Sequence, residues 1–221
     1  MRPLSTWWAV TTAASIAATL MIAAPHCAAA GSAPAYDAAF QQFQRAAAGG
    51  DEKTIESAAE QFGRLAAVEP GDPVLLAYSG AATAMRATTT VLPWKRLAFA
   101  DDGLGQLDKA LTMLTPEHDA LLHRGTPASI ETRFVAANTF LRMPSMFNRH
   151  ARGARLLDEV LKSPLLAAAP LGFRAAVWLR AGDEAVQDKH PDDARRWWQQ
   201  VIASGAPQAA VAQAKLKELQ P

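Results

Sequence analysis

The sequence predicts an all-α fold from its alanine content, the positions of its prolines and the spacing of its apolar residues. It has 49 alanines against two tyrosines in 221 residues. Alanine is the best helix former, whereas strands favour β-branched and aromatic residues. Half of the residues are hydrophobic and 19% are charged, a composition that can form a buried core and differs from that of disordered chains.

The prolines mark helix starts. A residue type that caps helices stands directly before proline in Asp72-Pro73, Thr115-Pro116, Thr126-Pro127 and Ser163-Pro164. The cap oxygen accepts a free backbone N–H, and proline at the first helical position has none to lose. Pro191 is followed by two aspartates in the first turn, where the helix dipole favours them. Gly205 and Pro207 end one helix and start the next.

Between these boundaries the apolar residues recur three or four positions apart, as on one face of a helix. Ile55, Ala58, Phe62 and Leu65 form one such face, and no run of six or more residues alternates as a strand does. In chain order, the pattern predicts helices over 36–48, 52–68, 73–87, 94–114, 128–141, 147–162, 170–187, 191–203 and 207–219.

Residues 1–30 have the features of a secretory signal peptide. Arg2 gives a positive start, an apolar stretch covers residues 7–24, and Ala28-Ala29-Ala30 offers a cleavage site. An uncleaved membrane anchor is the alternative. His26 before Cys27 does not suit a lipoprotein, and cleavage after residue 30 leaves a chain without cysteine. We therefore expect export to the periplasm or secretion, with one folded domain over 31–221.

The C-terminal part resembles the tetratricopeptide repeat, a helix–turn–helix unit of 34 residues. Counting from Ala175, the residues Trp178, Gly182, Ala194 and Trp198 fall where that repeat prefers Trp, Gly, Ala and Phe. Near the start, the spacing of Ala58, Phe62 and Pro70, followed by Leu76 and Gly80, resembles a second unit.

The resemblance implies an irregular α-solenoid of antiparallel helix pairs, closed by a C-terminal capping helix over 207–219. The steps between equivalent alanines exceed 34 residues in the middle of the chain, so we expect insertions near residues 88–94, 122–128 and 142–148. A generic α-solenoid or an irregular helical bundle is the alternative. Proteins of this class, which include many uncharacterised exported bacterial proteins, bind other proteins on their concave side.

Catalytic, metal and cofactor motifs are missing from the sequence. There is no H-E-x-x-H, no G-x-S-x-G and no glycine-rich phosphate loop. The neighbouring carboxylates Asp101-Asp102 and Asp192-Asp193 point about 100° apart on a helix, so they do not form an acid–base pair. Without Arg2 the chain has 21 basic and 21 acidic residues, which does not suit nucleic-acid binding. We expect no enzyme, no cofactor and no metal.

Two stretches have the composition of a partner-binding surface. The first, Leu92–Arg96, places Trp94 before Lys95 and Arg96 at a helix start, where positive charge opposes the helix dipole. The second, Arg142–Arg149, combines arginines, methionines and an aromatic residue, as binding hot spots do. The predicted partner-binding residues are Trp94, Lys95, Arg96, Arg133, Arg142, Phe147, Asn148 and Arg149.

If both stretches face the inner surface, they would form a positive groove for an acidic segment or a chain-terminal carboxylate of another protein. The alternative for each stretch is structural: the aromatic residues fill gaps between helices, and the arginines pair with acids such as Asp101 or Asp102. The sequence thus predicts a non-catalytic protein-interaction scaffold of the bacterial cell envelope, accessory to transport or assembly. A second hypothesis is an anion-binding or small-molecule-binding protein, or an enzyme, with a cavity ringed by Arg133, Arg142 and Arg149.

Overall fold

The computed structural model describes residues 32–219, which are mostly helical. The α-helices are α1 (Ser32–Ala47), α2 (Glu52–Val68), α3 (Pro73–Arg86), α4 (Pro93–Thr112), α5 (Ala128–Phe140), α6 (His150–Lys162), α7 (Leu165–Ala168), α8 (Leu171–Gln187), α9 (Pro191–Ala203) and α10 (Ala209–Glu218). The all-α prediction is confirmed. The signal-peptide prediction for residues 1–30 lies outside the described residues.

Consecutive helices pack against each other from α1 to α4, and the pairs α5–α6, α8–α9 and α9–α10 do the same. Helix α5 also packs on α3, and α6 on α8. The largest apolar core joins α1 to α8 and contains Phe62, Leu107 and Phe140. A second core joins α8, α9 and α10 around Trp198 and Val201. Helix α8 connects the two cores, since its buried residue Val177 belongs to the first core and Ala175 belongs to the second.

Glycines permit two of these helix pairs to approach closely. A methyl group on Gly103 of α4 would lie 2.5 Å from the Gly80 carbonyl oxygen of α3, so the two backbones touch. In the C-terminal pair, a methyl group on Gly182 would overlap the indole of Trp198, which is buried. The small residues at both positions therefore set the distance between helices.

The segment between α4 and α5 differs from the prediction. Thr126-Pro127 does not cap a helix; it forms the strand β2 (Thr126–Pro127), which pairs antiparallel with β1 (Leu122–His123). The turn residues Arg124 and Gly125 both have positive φ, 50° and 79°, as a two-residue hairpin turn requires. A 3-10 turn, Pro116–Asp119, precedes this hairpin, and another, Ser145–Phe147, lies between α5 and α6.

Candidate functional site

A groove with a volume of about 710 Å³ opens between α1, α3, α4, α5 and the α5–α6 loop. We call it the central groove. Helices α1, α3 and α4 each contribute residues three or four positions apart, which lie on one helix face. Its apolar lining includes Phe43, Ala46 and Ala47 of α1, Ala81, Ala84 and Met85 of α3, Leu97 and Ala100 of α4, and Met143, Met146 and Phe147 of the loop.

The charged side chains that line the central groove are both arginines. Arg96 and Arg142 are exposed and belong to different walls, and the described lining contains no aspartate or glutamate. Arg96 donates from Nε to the Thr90 carbonyl oxygen at 2.9 Å, which orients its terminal nitrogens. Arg142 forms no side-chain hydrogen bond or ion pair with residues 32–219. The groove is thus an apolar surface with two positive charges and no acidic residue in its described lining.

Large apolar side chains are exposed within the central groove and in the chain segment next to its lining. Val91 is 83% exposed, Trp94 67% and Met146 77%. Val91 and Trp94 flank the lining residue Pro93 in the sequence, and Met146 itself lines the groove. Water-exposed apolar groups gathered beside a concave surface are typical of interaction sites.

The structure brings together only part of the predicted partner-binding set. Arg96, Arg142 and Phe147 line the central groove, and Trp94 is the sequence neighbour of the lining residue Pro93. Phe147 is half-buried and also packs on the large core, so it has the gap-filling role as well. The two stretches predicted from the sequence therefore meet at one surface, although 46 positions separate Arg96 and Arg142 in the numbering.

The other predicted residues point elsewhere. Lys95 lines a separate polar cleft of about 140 Å³, beside Glu52 and Glu56. Arg133 pairs with Glu159 at 3.4 Å.

Arg149 pairs with Asp108 at 2.9 Å, and Arg152 shares that carboxylate. Asn148 ends the 3-10 turn in the left-handed conformation, with φ 52°. Of Arg133, Arg142 and Arg149, which the second hypothesis places around one cavity, Arg142 alone is among the lining residues of the central groove. Arg149 does have the structural role of pairing with an acid, but the acid is Asp108 and not Asp101 or Asp102.

A buried cluster of polar residues was not predicted from the sequence. Glu131 of α5 is 3% exposed and accepts two hydrogen bonds on Oε1, from the Tyr36 hydroxyl of α1 at 2.9 Å and from the Tyr78 hydroxyl of α3 at 2.8 Å. Its Oε2 is buried and has no hydrogen-bond partner among the described residues. We call these three residues the tyrosine–glutamate cluster. Both tyrosines of the sequence thus bond to one carboxylate.

The hairpin adds a second ionisable group to this cluster. The His123 ring lies 5.0 Å from the Tyr36 ring, centroid to centroid, and its Nε2 is 2.7 Å from Asp72 Oδ2. Asp72 also caps α3, accepting from the Val74 amide at 2.8 Å. On the same hairpin, Arg124 stacks on Phe40 with its guanidinium 3.8 Å from the ring centroid.

Burial raises the pKa of Glu131 to about 7, although hydrogen bonds from Tyr78 and Tyr36 and the charges of His123 and Arg124 oppose the shift. Burial and the nearby Glu131 charge hold the pKa of both tyrosines well above their usual value. For His123, burial alone would lower the pKa, but the hydrogen bond and charge of Asp72 together raise it above its usual value. The cluster can therefore change its charge near neutral pH.

The tyrosine–glutamate cluster lies on the helix faces that line the central groove. Tyr36 precedes Phe43 by seven residues, Tyr78 precedes Met85 by seven, and Glu131 precedes Asn138, another lining residue, by seven. Seven residues are two helical turns, about 10 Å along each axis. One carboxylate therefore joins three walls of the groove at the same distance from it.

A second buried ionic group lies between α6 and α8. Glu184 is 2.7 Å from His150 Nε2 and 3.9 Å from Arg180 Nη2. Burial lowers the pKa of Arg180 and raises that of Glu184, and the charge of Arg142 lowers the pKa of Arg180 further. Arg180 and Glu184, both on α8, compensate each other inside the fold, as buried charges generally require. The contact between His150 and Glu184 joins α6 to α8.

Among residues 32–219, no helix is long and apolar enough to span a membrane, and no three His, Cys, Asp or Glu side chains gather as metal ligands would. No family model, curated protein or solved structure matches this chain.

Proposed function

We propose that this protein is a non-catalytic interaction module of the bacterial cell envelope, whose central groove binds an apolar segment of another protein that carries a carboxylate. The observation that carries the proposal is the lining of the groove: apolar walls, two arginines from different helices and no acidic residue among the described lining. A carboxylate is the group that this charge distribution attracts, since arginine binds it with two parallel hydrogen bonds.

The helical arrangement supports a tetratricopeptide-like α-solenoid as the scaffold. Short links join α1 to α2, α2 to α3 and α8 to α9, and each of these pairs packs together. Gly80 and Gly182, two of the residues on which the resemblance to the repeat rests, both lie against a neighbouring helix. Export is proposed from the sequence of residues 1–30 alone, with the periplasm or secretion as the destination.

The shape of the binding surface supports a protein segment as the ligand. The groove is open along one side, and exposed apolar residues extend its surface beyond the cavity to Val91 and Trp94. An amphipathic helix or extended segment covers such a surface with several side chains at once. A ligand enclosed entirely within the cavity would leave Val91 and Trp94 exposed to water.

The volume favours a second candidate, an apolar small molecule with an acidic group. Cavities that bind small molecules commonly have volumes of about 300–1,000 Å³, and the groove volume of about 710 Å³ falls within that range. Trp94 distinguishes the two candidates, because only a ligand longer than the cavity contacts it.

Selection from a random peptide library displayed on phage tests the proposal. Peptides that bind the wild-type domain but not an Ala47→Trp variant are retained, because a large ring at this exposed, groove-lining position fills the groove without entering the core. We expect the retained peptides to be rich in apolar residues together with Asp or Glu. Retained peptides that are rich in Lys or Arg, or a selection in which every peptide that binds wild type also binds Ala47→Trp, would refute the proposal.

Arg142 and Arg155 form a matched pair for the charge contribution. Both are exposed, but only Arg142 lines the groove. If the second candidate is correct, no peptide is retained, and an apolar anion such as anilinonaphthalene sulfonate binds the wild type and not the Ala47→Trp variant.

A further inference from the structure

We propose that Glu131 is a positioning residue that makes the central groove sensitive to pH, because the carboxyl group that joins α1, α3 and α5 gains and loses a proton. This inference deepens the proposed function and rests on it for its biological meaning. Its structural part, the pH-dependent attachment of α1, can be tested without any ligand.

The geometry shows why one carboxyl group has this influence. Glu131 Oε1 accepts hydrogen bonds from Tyr36 and Tyr78 at 2.9 and 2.8 Å. Helices α3 and α5 pack directly on each other, whereas α1 reaches α5 through Tyr36. The wall that depends most on the carboxyl group is therefore α1, which lines the groove with Phe43, Ala46 and Ala47.

The neutral and the ionised carboxyl group of Glu131 differ in the solvation that they require. A neutral carboxyl group can remain in the dry interior with Oε1 bonded to both hydroxyls. A carboxylate places a charge on Oε2, which is buried without a hydrogen-bond partner among the described residues. A buried charge without solvation is costly, and admission of water or loosening of the surrounding helices lowers that cost. Deprotonation thus favours states in which α1 separates from α5.

The charged and titratable groups that face Glu131 come from each element that packs around it. They are Tyr36 from α1, Tyr78 from α3, and His123 and Arg124 from the hairpin, with Asp72 and Glu69 acting through His123. Both tyrosines stay neutral in the physiological range because their pKa values are raised. His123 is thus the other group in this set that can titrate near pH 7.

Hydrogen exchange of the α1 amides, measured on the whole protein, tests the inference. If Glu131 regains an ordinary pKa when α1 opens, the opening equilibrium rises about tenfold between pH 6 and pH 8. We expect the protection factors of residues 43–47 to fall by that factor in the wild type. In Glu131→Gln they stay constant, since the amide accepts the same hydroxyl bonds and cannot ionise. An equal fall in both proteins overturns the inference.

Two further variants separate Glu131 from its neighbours. His123→Asn should retain the fall in protection, which assigns the titration to Glu131; its loss in this variant would assign the effect to His123 and overturn the inference. Tyr78→Phe removes a hydrogen bond that lowers the pKa of Glu131 and keeps the Tyr36 bond that joins α1 to α5, so the midpoint of the pH profile should move to higher pH. An unchanged midpoint counts against the inference even if Glu131→Gln fails to fold.

The link to binding uses the peptides that define the groove. Wild-type affinity for such a peptide should weaken between pH 6 and pH 8, while the affinity of Glu131→Gln stays constant. If every peptide that binds wild type also binds Ala47→Trp, the proposed function is refuted and the exchange result alone decides the role of Glu131. A peptide bound in the groove with the same pH dependence in both proteins refutes the inference alone.

Discussion

Gly103 of α4 lies directly against the backbone of Gly80 of α3, so that a methyl group on Gly103 would be 2.5 Å from the Gly80 carbonyl oxygen and 2.6 Å from the Ala84 amide nitrogen. These are backbone atoms, which cannot move aside as a flexible side chain can. Because Ala81 and Ala84 of α3 and Ala100 of α4 line the central groove, this contact also fixes the floor of the groove.

Gly103→Ala should therefore destabilise the protein by about 2–3 kcal/mol, the upper part of the usual range for overpacking. Gly105→Ala is the matched control on the same helix, since no atom lies within 4 Å of the added methyl group. It should stabilise the protein by about 0.5–1 kcal/mol through helix propensity. Urea unfolding measures both changes; equal effects of the two substitutions would show that the close approach is incorrect.

Stability should fall as pH rises from about 4.5 to about 7. In this range the native state keeps the Glu131 proton, because its pKa is raised to about 7, whereas the unfolded state has released it. The unfolded state then binds fewer protons, so the free energy of unfolding decreases with pH, by about 3 kcal/mol for this group.

The difference in the free energy of unfolding between wild type and Glu131→Gln, measured by urea titration at several pH values, isolates this contribution. We expect it to change steadily between pH 5 and pH 7. A constant difference would mean that Glu131 titrates as an exposed glutamate does.

Asp72 should control the pKa of His123. Asp72→Asn keeps a side chain that caps helices well but removes the negative charge 2.7 Å from the imidazole. Since burial alone lowers the pKa of His123, we expect it to move from above to below the usual value near 6.5. An NMR titration of the ring protons measures this shift. A value that stays above 6.5 in Asp72→Asn would assign the increase to another charge.

Arg142 and Arg149 should respond differently to alanine substitution. Arg149 pairs with Asp108, which keeps Arg152 as a partner, so Arg149→Ala should cost below about 1 kcal/mol of stability and leave groove binding unchanged. Arg142→Ala should leave the melting temperature unchanged and weaken binding. Thermal unfolding and peptide titration on both variants check this. If Arg149→Ala weakened binding and Arg142→Ala did not, the binding surface would lie beside α6 and not in the central groove.

Local sequence signals predicted the helices well. The predicted ranges 52–68 and 191–203 coincide with α2 and α9, because the first follows the capping Asp51, whose side chain accepts from the Thr54 amide, and the second starts at a proline. The hairpin was missed because its turn is Arg124-Gly125, without the common Asn-Gly signal, and Thr126-Pro127 has the composition of a helix cap.

Features that depend on distant contacts could not be predicted in the same way. Glu131 bonds to residues 95 and 53 positions away, and no local sequence pattern identifies those partners. The convergence of Arg96 and Arg142 was expected only as one of two alternatives. Apolar periodicity predicts which face of each helix is buried, but not which other helix that face packs against. The buried polar contacts depend on this packing.

The binding of an acidic peptide by the central groove is the central claim, and one titration tests it most directly. Fluorescence anisotropy of a peptide retained in the library selection is measured against wild type, Arg142→Ala and Arg155→Ala. Loss of one charge-assisted contact of about 1.5–3 kcal/mol predicts a weakening of about ten- to a hundredfold for Arg142→Ala, with no change for Arg155→Ala. Equal affinity of all three proteins would contradict the account.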